Sequence, residues 1–164
     1  MASGVAGRAL VVTVCDRGFA GQQEDRSGPA VTNLLQHSGF EVAGTEVVPD
    51  NRERIIDVLL GAAAEGVDLV VTTGGTGLGP RDLTPQATRA VLDYEVEGLA
   101  EAMRRAGAKK TPLAVLSRAV AGVRDRTLIV NLPGSPKGAT ESLEAVLPVL
   151  KHAIDLVHGD TEHR

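Results

Sequence analysis

Three short runs of apolar, largely β-branched residues limit what this chain can fold into. Residues 9–14, ALVVTV, and 68–73, DLVVTT, are apolar on both faces, and FEVAGTEVV at 40–48 lies between them. A strand that is apolar on both faces needs cover on both. The intervening segments supply it. Residues 27–38 read as a helix, with Ser27 as N-cap, Pro29 in the first turn, Val31, Leu34 and Leu35 on one face and Gly39 at its end. Residues 52–64 read as another, capped by Asp50 or Asn51, with Ile55, Ile56, Leu59, Leu60 and Ala63 at helical spacing. This alternation predicts an α/β fold of three layers, α/β/α, around a mostly parallel central sheet. Aromatic residues make up only 2% of the chain while hydrophobic residues make up 43%, so the core is built from Ala, Val, Leu and Ile.

The remainder fits the same plan. Residues 84–93 and 97–106 read as helices, the first opened by Thr84-Pro85. The stretch LAVLSRAVAGVRDRTLIVNL, 113–132, holds two strand-like pieces around Val123-Arg124-Asp125-Arg126 and predicts a small β-hairpin. A last helix is expected from about 136 to 157, with Ala139, Leu143, Val146, Leu147, Leu150, Ile154 and Val157 on one side. Pro148 within it is expected to kink or split it. The 164 residues fit one domain, 1–164, with mobile tails at 1–7 and 159–164.

Composition excludes several classes of partner. No apolar run reaches about 18 residues, so no membrane span is expected. The first ten residues, MASGVAGRAL, read as too short and too polar for a secretory signal. Cys15 is the only cysteine, so no internal disulfide can form, which fits a reducing, cytoplasmic setting. A net charge of −4 weighs against nucleic acid as a partner. His37, His152, His158 and His163 show no metal spacing, and no zinc site is expected.

In a parallel α/β sheet, ligands bind beyond the carboxyl ends of the strands. The loops expected there are Cys15 to Ser27, Pro49-Asp50-Asn51, Thr73 to Asp82 and Leu132 to Gly138, with Ser117-Arg118 as a further piece. The third is the densest. TTGGTGLGPRDLTPQA, 72–87, sets Gly74, Gly75, Gly77 and Gly79 directly before Arg81 and Asp82. Glycines let backbone N–H groups approach a phosphate, and a following helix N-terminus favours an anion. The spacing is neither a P-loop nor G-x-G-x-x-G, so an anion loop and a tight structural turn both remain open. A carboxylate beside a phosphate cradle needs a cation between them, and Mg²⁺ fills that role with one or two carboxylates plus substrate oxygens. Asp82 and Asp50 are the candidates. The plainer alternatives are that Asp50 caps a helix and that Asp82 pairs with Arg81. Arg81 and Lys137 either contact phosphate or are solvated charges. Ser117 either bonds a ligand or ends a strand. Asp16 holds either its loop or a ligand. Cys15 reads as a small buried hydrophobe rather than a nucleophile.

Taken together, GGTGLGPRDLTPQAT (74–88), VVPDNRERI (47–55), LSRAVAG (116–122) and NLPGSPKG (131–138) resemble the Mog/MoaB group of molybdenum cofactor biosynthesis. That group includes bacterial molybdopterin adenylyltransferases and the G domains of plant Cnx and animal gephyrin. The resemblance runs from about residue 9 to 158. It implies a transfer of AMP from ATP, with Mg²⁺, to the terminal phosphate of molybdopterin, releasing pyrophosphate. It maps an acidic pair onto Asp50 and Asp82, both as catalytic residues and as metal ligands. It maps a glycine loop onto Gly74, Gly75, Thr76 and Gly77, and a proline-glycine loop onto Pro133, Gly134, Ser135 and Pro136. Ser117 is the serine of the L-S-R segment, and Lys137, Arg81 and Asp16 join the binding set. Many relatives have Ser where this chain has Cys15. Some MoaB-type relatives lose the R-D-x-T-P pattern together with activity, whereas this chain keeps Arg81-Asp82-Leu83-Thr84-Pro85. The resemblance also implies a homotrimer and a partner protein that inserts molybdate. Its alternatives are a carrier that binds molybdopterin without catalysis, and a scaffold trimer.

Overall fold

The computed structural model describes residues 4–161. Its frame is one six-stranded sheet. The strands are β1 (Arg8–Val14), β2 (Glu41–Val48), β3 (Leu69–Thr73), β4 (Tyr94–Glu95), β5 (Ala121–Arg124) and β6 (Thr127–Leu132), in spatial order β2-β1-β3-β6-β5-β4. The pairs β1–β2, β1–β3 and β3–β6 are parallel, and β5–β6 and β4–β5 are antiparallel. The expected hairpin therefore extends the central sheet. Its turn carries Asp125 at φ 52, and the Asp125 N–H donates to Asp93 Oδ2 at 2.8 Å.

The central strands are dry on both faces because helices cover both. These helices are α2 (Ser27–His37), α3 (Arg52–Ala64), α4 (Thr84–Val91), α5 (Glu97–Ala108) and α6 (Pro136–Val157), with a single turn, α1 (Asp16–Phe19), after β1. Val11, Val71 and Val130 point to one side, where they pack with Val31 and Leu35 of α2, Met103 of α5, and Leu143, Val146 and Leu150 of α6. Their neighbours Val12, Val70 and Ile129 point to the other, against Ile55 and Leu59 of α3 and Ala87 and Val91 of α4. The period-2 alternation of a strand thus splits one apolar run between two cores. Each fully buried Val, Leu or Ile contributes about 1.5–3 kcal/mol. β2 is an edge strand, and its residues alternate between exposed and half-buried along most of its length.

Several local expectations are corrected. Ser27 is the first helical residue of α2 and not its cap. Asp25 does the capping: its Oδ1 accepts the Gly28 N–H at 3.0 Å, and its Oδ2 accepts the Thr13 hydroxyl at 2.8 Å. Residues 112–116, which include part of a predicted strand, form a 3₁₀ turn opened by Pro112. Pro148 does not split α6, which runs unbroken for 22 residues. It lies on the exposed side of the helix, opposite the buried stripe of Leu143, Val146, Leu150 and Ile154, so water can reach the carbonyl that loses its donor. Of the expected tails, 1–3 and 162–164 lie outside the described residues. Next to the first, the Ala6 N–H donates to Gly39 O and Gly7 O accepts from the Glu41 N–H.

Candidate active site at the carboxyl edge of the sheet

The parallel strands β1, β2, β3 and β6 end side by side at Val14, Val48, Thr73 and Leu132. The glycine loop leaves the end of β3 and is tied down at once. The Gly74 N–H donates to Leu132 O at 3.1 Å, and the Thr84 hydroxyl donates to Gly74 O at 2.9 Å. Gly74 has φ 103 and Gly75 has φ 70, both left-handed. A Cβ on Gly74 would run into Val14 O, and one on Gly75 into Thr84 Oγ1. Only glycine fits this path between two strand ends. Beyond it, the amides of Gly75, Thr76 and Gly77 donate to no protein acceptor among the described residues. Three successive donors without protein partners are what an anion-binding loop requires.

The plainer readings of the two acidic residues do not describe this geometry. Asn51 caps α3, its Oδ1 accepting the Arg54 N–H at 3.0 Å, which leaves Asp50 free of that task. Arg81 pairs with Asp16 instead of Asp82, through Nε at 2.6 Å and Nη2 at 3.1 Å. Asp16 and Asp50 also exchange bonds: each backbone N–H donates to the other's carboxylate at 2.9 Å. Arg81 Nη2 donates in addition to Asp50 O at 3.0 Å. One guanidinium thereby joins the ends of β1 and β2 to the glycine loop. Its bonds hold the Asp16 carboxyl below the usual carboxylate range. Burial pushes the Asp50 carboxyl up, opposed by the bond from the Asp16 N–H and assisted by the negative charges of Asp16 and Asp82. Asp82 Oδ2 accepts the Gly79 N–H at 2.9 Å, which leaves Oδ1 for a ligand.

Arg118 was not assigned a role from the sequence, and it holds the whole loop. Its Nε donates to Gly77 O at 2.8 Å, its Nη2 to Asp82 O at 2.7 Å and its Nη1 to Gln86 Oε1 at 3.2 Å. Its backbone N–H donates to Thr76 O at 2.9 Å. The signal available in the sequence was its place directly after Ser117; its side-chain partners lie 32 to 41 residues away and leave no local pattern. Cys15 is corrected: it is half-buried and not a core filler, and its sulfur accepts the Gly18 N–H at 3.4 Å. Asp25 and Thr13 are further wall residues that sequence reasoning did not select.

Two cavities meet at this edge. The larger, about 620 Å³, is the more polar of the two, and its walls include Cys15, Asp25, Asp50, Asp82, Gly74 and Gly75, with Gly134 from the loop before α6 and Pro136 from the start of that helix. The second, about 300 Å³, is mostly apolar, with Thr76, Gly77, Ser117, Pro133 and Ser135 on its wall. Along the second loop alternate residues face opposite cavities, and along the glycine loop Gly74 and Gly75 face the larger while Thr76 and Gly77 face the smaller, so the two loops form the partition between them. Ser135 Oγ caps α6 by accepting the Gly138 N–H at 3.0 Å. Asp16, Arg81 and Lys137 line neither cavity; the first two act on the site through Asp50, and Lys137 lies beside the partition at the start of α6.

The carboxylates of Asp50 and Asp82 in the more polar pocket, a cradle of free amides and an adjoining apolar pocket suit the binding of a metal-associated polyphosphate beside an organic ring. Among the described residues no group of three or more His, Cys, Asp or Glu side chains could hold a metal ion by itself. The donor set fits Mg²⁺, which takes one or two carboxylates and completes its shell with water and substrate oxygens.

Comparison with known proteins agrees with this geometry. A family model described as a probable molybdopterin binding domain matches residues 10–152. The molybdopterin adenylyltransferase of Helicobacter pylori J99 is 42% identical over 153 residues, which is 92% of this chain and 87% of that protein. The enzyme of the same name from Escherichia coli K12 is 39% identical over 156 residues, 93% of this chain and 78% of that protein. Among solved structures, the molybdopterin biosynthesis enzyme MoaB of Thermus thermophilus is 60% identical, with a TM-score of 0.88 over 93% of this chain and 97% of that one. No helix among the described residues is long and apolar enough to cross a membrane. The chain belongs to the probable molybdopterin binding domain family, the Mog/MoaB group of molybdenum cofactor biosynthesis.

Proposed function

We propose that this protein transfers AMP from ATP to the terminal phosphate of molybdopterin, releasing pyrophosphate. The observation that carries the reading is the pair of cavities divided by the glycine loop, with Asp50 and Asp82 in the polar one. In the reaction, a phosphate oxygen of molybdopterin bonds to the α-phosphorus of ATP. The bond from that phosphorus to the oxygen bridging the β-phosphate breaks, and the electron pair leaves with pyrophosphate. The polar cavity takes the triphosphate, the apolar cavity takes the pterin, and the two phosphates meet at the partition.

No protein nucleophile is needed, so the residues act by position and charge. The amides of Gly75, Thr76 and Gly77 bind phosphate oxygens. Ser117 and Ser135 face the pterin side and hold the attacking phosphate, with Lys137 and the N-terminus of α6 beside them. Thr73 anchors the second loop by donating from its hydroxyl to Pro133 O at 2.6 Å. Arg81 and Asp16 fix Asp50, and Arg118 fixes the main chain at Asp82. Asp50 and Asp82 would hold Mg²⁺, which when bound neutralises charge building on the departing pyrophosphate.

The same reading makes residues 1–164 a single molybdopterin-binding domain, working in the cytoplasm as a homotrimer and passing its product to a protein that inserts molybdate. The lone cysteine supports the compartment, and Leu113, Val115 and Leu116, 47–69% exposed on the 3₁₀ turn, supply apolar surface for self-association. The test is turnover. Purified protein mixed with Mg²⁺, ATP and molybdopterin is expected to yield adenylylated pterin and pyrophosphate in equal amounts. Tight pterin binding with neither product would move the assignment to a carrier.

A further inference from the structure

The apolar cavity has one acidic residue on its wall, and the proposed chemistry does not use it. Glu141 is on α6, six positions beyond the cap Ser135, and its side chain is 22% exposed. Its Oε1 lies 3.3 Å from Lys110 Nζ, just past the end of α5. The remaining wall near it is made of Met103, Gly107, Leu113 and Ala114, with the hydroxyl residues Thr111 and Ser142. Placing a carboxylate against apolar walls is costly without partners, and the ammonium of Lys110 offsets only part of that cost.

We infer that Glu141 reads the pterin ring, accepting hydrogen bonds from its 2-amino group and its N3–H. The inference rests on the adenylyl-transfer reading and deepens it. Three observations carry it. The first is chemistry: a pterin presents these two donors side by side on one edge, and a carboxylate presents two acceptors at matching separation. The second is placement. Ser117, Thr76 and Ser135 mark the phosphate end of the cavity at the partition, and Glu141 stands about 7.5 Å further along α6 than Pro136, at 1.5 Å per residue. The donor edge of the pterin and the phosphate are at opposite ends of molybdopterin, so both ends meet complementary groups. The third is the charge inventory. The one basic residue on this wall, Arg104, is turned to protein: its Nη1 donates to Ser117 O at 3.3 Å and to Ala119 O at 3.0 Å. Lys110 holds Glu141 from outside the cavity, and its ammonium is a positioning partner rather than a contact of the ring. Glu141 is thus assigned as a specificity-determining residue, and it takes no part in bond making.

The test compares the intact protein with Glu141→Gln, which keeps the shape but presents an acceptor and a donor in place of two acceptors. The KM for molybdopterin is expected to rise about tenfold to a hundredfold, with the KM for ATP unchanged. A second measurement uses competition. A simple pterin and the matching lumazine, which has a carbonyl in place of the 2-amino group, are compared as inhibitors against molybdopterin. The native protein is expected to prefer the pterin by about tenfold or more, and Glu141→Gln is expected to lose that preference. A purely structural Glu141 would alter stability but not the pterin-to-lumazine ratio. Equal inhibition of the native protein by both compounds would overturn the assignment, and so would a native molybdopterin KM in Glu141→Gln. A native protein that turns over molybdopterin with either result sinks only the role of Glu141. A native protein that forms no product sinks the adenylyl-transfer reading and this one with it.

Discussion

Arg118→Ala is the substitution whose cost can be worked most directly from the structure. It removes two charge-assisted bonds to main-chain carbonyls, at 2.8 Å to Gly77 O and 2.7 Å to Asp82 O, both part-buried. The third bond, to Gln86 at the surface, contributes little. Hydrogen bonds from a charged donor are worth about 1.5–3 kcal/mol each, so the two sum to about 3–6 kcal/mol if nothing replaces them. Water can reach part-buried carbonyls, which reduces the expected loss to about 2–3 kcal/mol. Most of it should fall on the loop and not on the whole fold, because the strands beneath are dry and hold their own register. Urea denaturation is expected to shift modestly, and amide exchange at Gly79 and Asp82, the hydrogen-bonded amides of the loop, is expected to rise sharply. Release of the Asp82 main chain by about 1 Å should lower turnover by about a hundredfold. Arg118→Lys should not restore it, because a single ammonium cannot bridge both carbonyls as a planar fork does. Native exchange at Gly79 and Asp82 together with native turnover would refute the claim that this guanidinium holds the loop.

Other outcomes follow from the same geometry. Gly74→Ala drives a methyl group into Val14 O at a left-handed φ and should lower stability by about 3 kcal/mol, read as a fall in Tm; a loss below about 0.5 kcal/mol would contradict the packing described. Arg81→Ala breaks an ion pair whose arginine side chain is 65% exposed, so its effect on Tm should be small, while turnover falls further because Asp50 loses its brace; equal, small effects on both would refute that brace. Asp50 has its pKa raised in the folded state, so its contribution to stability is complete below the unfolded value of about 3.9 and is lost as pH rises through the folded value. Asp50→Asn should therefore gain stability over the native chain as pH rises, measured as Tm against pH with a chelator present; an offset that is the same in acid and at neutrality would contradict it. Asp16 behaves in the opposite sense. Its lowered pKa gives stability that is present above about 3.9 and is lost as pH falls through its folded value, so Asp16→Asn should cost most near neutrality.

The sheet was legible because β1 and β3 are apolar on both faces and β6 nearly so, a pattern that few other environments explain. β4 left no trace: two exposed residues, Tyr94 and Glu95, have no periodicity and are a strand only through their pairing with β5. Residues 112–116 were misread for a related reason. Leu113, Val115 and Leu116 have strand-like chemistry, but they lie exposed on a 3₁₀ turn, where tertiary context overrides propensity. In the site, the loops were found because glycine and proline mark them. The roles within them were harder to read. Asp50 and Asn51 can both cap a helix, and only the bond from Arg54 N–H decides between them. The partner of Arg81 is 65 residues away, not next to it, and no local pattern encodes that.

The most direct test of the central claim is the rate of pyrophosphate release with ATP, Mg²⁺ and molybdopterin, compared between the native chain and Asp82→Asn. The account predicts steady release by the native protein, and a loss of about a thousandfold or more in the variant. It also predicts that the variant keeps its fold and its affinity for molybdopterin, because Asp82 faces the other cavity. Unchanged release by Asp82→Asn would contradict the account, since charge on the leaving group would then be neutralised elsewhere.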